Sequence, residues 1–128
     1  YESIFGAYVA TYVKKGANAL FVITNDGWWK NTPGYKQHLA YARLRAIETR
    51  RSIARSANTG TSCFINQRGD VTQATKWWKK AVIRANINLN TVKTFYVKNG
   101  DQLGRIAAFL SLLLIIWSWS VKMKNKLP

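Results

Sequence analysis

The sequence predicts an α/β fold followed by one membrane-spanning helix, and three observations carry that expectation. A continuous apolar run at residues 19–24 leads through a turn-rich segment into a stretch with helical spacing at residues 35–51. Short extended runs separated by Asn and Gly turns follow it. The last observation is an uncharged apolar run at residues 106–121. With 48% hydrophobic residues, 13% aromatic and two Pro, the chain can build a core and is not of disordered composition.

Residues 4–15 place Ile4, Tyr8, Val9 and Val13 near helical spacing, and Gly16 supplies the stop. The run at residues 19–24, ALFVIT, lacks alternation, which suits a strand covered on both faces. Residues 25–34, NDGWWKNTPG, are packed with turn formers and read as a loop at the end of that strand. Tyr35, Leu39, Ala42 and Ala46 then mark a helix whose other positions include Arg43, Arg45, Arg50 and Arg51. Residues 52–57, 61–66 and 71–75 are expected as short strands joined by tight turns, and residues 81–89 as one more strand. Residues 91–104 read as the approach to the membrane.

As a helix, residues 106–121 rise about 24 Å against a hydrocarbon core of roughly 30 Å, so Arg105 and Lys122 must snorkel to complete a span. Trp117 and Trp119 would then sit near one interface. A buried core helix is the other reading, but only Ser111, Ser118 and Ser120 interrupt the apolar surface. The division expected is residues 1–104 as a partial domain, 105–122 as the membrane helix and 123–128 as a basic tail. Lys122, Lys124 and Lys126 follow the helix more densely than Lys93, Lys98 and Arg105 precede it, which favours a cytoplasmic C-terminus.

The net charge is +15, from 20 Lys and Arg against five acids. Such a surface attracts closely spaced phosphates, in nucleic acid or in an anionic lipid surface. No zinc-ligand pattern, P-loop or RNA-binding motif accompanies the charge, and the tryptophans do not form a regular platform for bases. A solvated basic face is therefore the plainer reading, with no nucleic-acid partner. The single Cys63 excludes an internal disulfide and a multi-cysteine metal site. Cys63 and His38 could form a thiol-base pair, but a small Cys inside a strand is more often packing.

Tyr1-Glu2-Ser3, then ITNDGWW, then HLAYARLRAIETRRSIARSANTGTSCFINQRGD resemble the nitrilase superfamily in the segment that follows its nucleophile, and within it the apolipoprotein N-acyltransferases. The resemblance covers about residues 1 to 121 in order. It implies the C-terminal half of a nitrilase-type αββα sandwich followed by one transmembrane helix. The start at Tyr1, without Met, agrees with a fragment. It further implies a Cys immediately before Tyr1, with a general-base Glu and a Lys farther upstream.

In that family a Cys thiolate takes an acyl chain from a phospholipid donor, and the diacylglyceryl cysteine of an apolipoprotein acceptor receives it; neither a cofactor nor a metal is called for. Carried onto this chain, Tyr1 and Glu2 are the expected catalytic-site residues, and Trp28 and Trp29 the expected substrate-binding pair. A first-turn Glu also suits a helix dipole, and Trp28 and Trp29 could be loop anchors. Asn25 and Asp26 match too, though turn formation explains them equally well. Lys30 departs from the family, which usually has Gly there. The implied location is the bacterial inner membrane, in a multi-pass parent with this domain periplasmic. A soluble nitrilase-type amide hydrolase and a basic nucleic-acid-binding module are the alternatives.

Overall fold

The computed structural model describes residues 2–124; the expectations for Tyr1 and for residues 125–128 lie outside the described residues. The chain opens with a 3-10 turn, Glu2–Ile4, and an extended Phe5 that starts helix α1, Gly6–Lys14. Val9, Ala10 and Val13 form the buried face of α1, and Gly16, at φ 108°, ends it in a conformation that disfavours any residue with a Cβ. Strand β1, Leu20–Asn25, runs into a second 3-10 turn, Asp26–Trp29. Helix α2, Gly34–Thr49, then crosses back to strand β2, Ile53–Asn58. That crossover makes β1 and β2 parallel, with Leu20 opposite Ile53 and Asn25 opposite Asn58.

Strands β3, Cys63–Ile65, and β4, Val71–Thr72, add antiparallel hairpins, giving the order β1-β2-β3-β4. The inward residues of the sheet meet α2 through Ala42 and Ala46, whose small side chains let the helix approach Ile53, Cys63 and Ile65 closely. Replacing Ile53, fully buried here, by Ala would cost about 2–5 kcal/mol through lost contacts and a residual cavity. A second cluster joins Ala10 and Val13 to Val97 of α3, Phe95–Asn99. The α/β class expected from sequence is therefore observed, with α1 and α2 packed on one face of the sheet.

Three expectations need correction. Strand β1 is covered on one face only: Leu20 and Val22 turn inward, while Phe21 and Ile23 stand 74% and 83% exposed on the other face. An unbroken apolar run shows that both faces are apolar, not that both are covered within these residues. Residues 81–89 form no strand. They run with Ile83, Ala85 and Ile87 half-buried, and two of their carbonyls accept from side chains, that of Arg84 from Gln73 Nε2 and that of Asn88 from Ser52 Oγ. Residues 91–104, read as a mere approach to the membrane, contain α3, capped where Thr94 Oγ1 accepts from the Val97 amide at 3.1 Å.

The final helix, α4, spans Gln102–Lys124. Its Gln102–Met123 portion is long and apolar enough to cross a membrane, and none of its most apolar stretch is buried against the rest of the chain. Among the described residues, α4 is therefore not a buried core helix.

Candidate functional site

The C-terminal ends of the parallel strands β1 and β2 carry a buried polar cluster drawn from four elements. Asp26, fully buried at the start of its turn, receives Arg55 Nη2 on Oδ2 at 2.7 Å and His38 Nδ1 on Oδ1 at 3.0 Å. His38 Nε2 lies 3.2 Å from Ser3 Oγ. Because Asp26 is paired with a guanidinium it is an acceptor only, so His38 Nδ1 carries the proton. In the neutral ring Nε2 is then left to accept from the Ser3 hydroxyl. The cluster thus ties the Glu2–Ile4 turn to the Asp26–Trp29 turn, α2 and β2. Gly60 completes the enclosure: a Cβ there would fall 2.2 Å from Asp26 Oδ2.

Glu2 is exposed and lines a cleft of about 300 Å³ with Ser3, Tyr12, Phe21, Ile23 and Arg45, beside the open face of β1. Trp28 and Trp29 lie elsewhere, on the turn at the end of β1, and do not line that cleft. The pair is also split in environment. Trp28 is 85% exposed, whereas Trp29 is half-buried, its ring so close over Gly34 that a Cβ there would meet it at 2.4 Å. Trp28 is thus open to solvent, whereas Trp29 packs over the start of α2. Trp77 stacks on Tyr35 at 4.3 Å, and Trp78 lies beside Gly27, which adds aromatic surface to the same rim.

Cys63 is wholly buried, and that burial pushes its thiol above the ordinary range, only partly opposed by Arg55. His38 spends its nitrogens on Ser3 and Asp26. The packing reading of Cys63 is the one the geometry supports. Among the described residues no group of three His, Cys, Asp or Glu side chains is placed to hold a metal ion.

The solvated basic face requires a correction. Arg45, Arg51 and Arg55 are buried. Arg51 donates to the carbonyls of Ala17, Thr49 and Val92 at 2.8, 3.1 and 2.9 Å. Arg43 Nε reaches the Gly69 carbonyl at 2.8 Å and so holds the β3–β4 turn against α2. Much of the arginine charge is thus used inside the domain, where guanidinium groups satisfy several carbonyls at once.

The sequence pattern of carbon-nitrogen hydrolases matches residues 1–96. The chain belongs to the carbon-nitrogen hydrolase family. It is 40% identical over 116 residues, 91% of its length, to an apolipoprotein N-acyltransferase of Chlorobaculum tepidum. The corresponding protein of Geobacter metallireducens is 34% identical over 79% of the chain, and apolipoprotein N-acyltransferase 1 of Treponema denticola 32% over 95%. The chain spans about a fifth of the length of these relatives, at 22%, 19% and 23% of each.

In this carbon-nitrogen hydrolase chain, sequence reasoning missed the Ser3–His38–Asp26–Arg55 cluster. Asp26 was legible as a turn residue, and the turn exists, but Asn25 makes it by accepting from the Gly27 amide at 3.1 Å. The available signal was Asp26 itself, an acid in a chain with only five, placed at the end of an apolar strand and followed by a lone His on a helix.

Proposed function

We propose that the chain is the C-terminal part of a membrane enzyme that moves an acyl chain from a phospholipid to the N-terminal diacylglyceryl cysteine of apolipoproteins. The observation that carries this reading is the 40% identity to an apolipoprotein N-acyltransferase across 91% of the chain. An exposed helix of membrane length supports it over a soluble amide hydrolase. The burial of Arg45, Arg51 and Arg55 weakens the nucleic-acid alternative, since those charges are not offered to an external polyanion.

In this reading a Cys before Tyr1 gives up its proton to a general-base Glu, and its thiolate attacks the phospholipid acyl carbonyl. The tetrahedral oxyanion is held by the Lys and by the Tyr1 backbone N–H. Collapse expels the lysophospholipid alkoxide, which takes the proton from the Glu, and leaves a thioester. The apolipoprotein amine then attacks the thioester, the same Glu accepts its proton, and the thiolate departs. Two displacements thereby replace one difficult ester-to-amide exchange. Glu2 orients catalytic or substrate groups at the cleft, and Trp28 contacts acyl chains. The domain faces the periplasm of a bacterial inner membrane, and α4 returns the chain to the cytoplasm.

Transfer from phosphatidylethanolamine to a diacylated lipopeptide, assayed in detergent with the full-length protein, tests this reading. Glu2→Ala should slow thioester formation or transfer, and Trp28→Ala should lower turnover on the lipid donor. The 128 residues alone should show no turnover, because the proposed nucleophile, base and Lys are supplied from outside them. Normal rates of both steps in Glu2→Ala would remove Glu2 from the site; turnover by the isolated chain would return attention to Cys63.

A further inference from the structure

We infer that His38 is a positioning residue for the acyl-transfer site, acting through Ser3 on the turn that carries Glu2. This rests on the functional reading above and extends it to a residue outside the proposed reacting groups. A buried His joined to a buried Asp and a Ser has the outline of a hydrolytic triad, but Asp26 is ion-paired to Arg55 at 2.7 Å and Ser3 is itself buried. The cluster is therefore built to hold its members in place. What it holds is specific: Ser3 is the middle residue of the Glu2–Ile4 turn, and its hydroxyl is bonded to His38 Nε2 at 3.2 Å.

The rest of the cluster fixes His38. Its Nδ1 is set against Asp26 Oδ1 at 3.0 Å, and Arg55, which holds Oδ2, is braced in turn by donation from Nη1 to the Thr61 carbonyl. Gly60 packs closely against Asp26 on one side, where a Cβ would fall 2.2 Å from Oδ2. The imidazole is consequently a rigid spacer between the end of β1 and the Glu2–Ile4 turn. Displacement of a catalytic segment by about 1 Å can cost on the order of a hundredfold in rate, so a spacer at this point governs chemistry without touching substrate.

The two ring nitrogens can be separated by substitution. In His38→Gln the amide reaches the Nε2 position and retains an acceptor for Ser3, whereas in His38→Asn it reaches the Nδ1 position and retains the Asp26 contact. Each variant, together with Ser3→Ala, is made in the full-length protein, and single-turnover thioester formation from phosphatidylethanolamine is measured beside the thermal midpoint. The expected result is a fall of about tenfold or more in acylation for Ser3→Ala and His38→Asn, with KM for the lipid unchanged. His38→Gln should retain more activity than His38→Asn even where it is the less stable of the two.

A purely structural role would order the rates by thermal midpoint instead, and that ordering, or normal acylation in Ser3→Ala, would overturn the inference while leaving the transferase reading intact. Absence of acylation in the unsubstituted protein would overturn the transferase reading and the inference with it.

Discussion

Lys30, read from sequence as a departure from the resembled family, has its backbone at φ 49° and ψ −152°, where a Cβ is strained. The sequence exposed the departure but not its cost, which depends on dihedral angles set by the Asp26–Trp29 turn. Lys30→Gly in the full-length protein should raise stability by about 1 kcal/mol, the relieved strain outweighing the added freedom of the unfolded chain. A lowered thermal midpoint would contradict that. Cys63 gives a second residue-scale test. Its native thiol is held above the ordinary range by burial, so this proton-linked stability is present at lower pH and is lost as pH rises through the native value. Alkylation of Cys63 at pH 8 should therefore be slow in the native protein and fast after denaturation, and rapid native labelling would show that the packing reading is wrong.

The elements were legible where their own periodicity fixes them. Helices α1, α2 and α4 and strands β1, β2 and β3 follow spacing, turn residues and apolar runs in the sequence, because each buries or exposes residues at its own repeat. Residues 81–89 show where that logic stops. Ile83, Ala85 and Ile87 alternate inward as strand residues do, but whether such a segment becomes a strand depends on a neighbouring backbone with unpaired groups, which local sequence does not supply. The Ser3–His38–Asp26–Arg55 cluster was illegible for the same reason: its four members come from distant parts of the chain and meet only after β1, α2 and β2 have packed. Helix α4 carries a prediction at this scale. Leu113, exposed near the middle of the apolar run, should resist replacement by Arg, with insertion into the bilayer weakened by about 3–4 kcal/mol, the loss of the Leu term adding to the cost of Arg. Partition of the helix between membrane and aqueous fractions measures this, and unchanged insertion would mean that α4 does not span.

At the scale of the whole molecule, the open face of β1, the exposed α4 and the rim of Trp28 and Trp78 all belong to a chain that spans about a fifth of its relatives' length. The family is established by the match over residues 1–96, and the transferase reading adds a covalent intermediate at one definite place. The most direct measurement is peptide-level mass spectrometry of the full-length protein after incubation with phosphatidylethanolamine and no acceptor. The account predicts one hydroxylamine-labile acyl group on a cysteine immediately preceding Tyr1-Glu2-Ser3, discharged when a diacylated lipopeptide is added. An acyl group on Cys63 instead, or no acyl-enzyme at all in protein that remains folded, would contradict it.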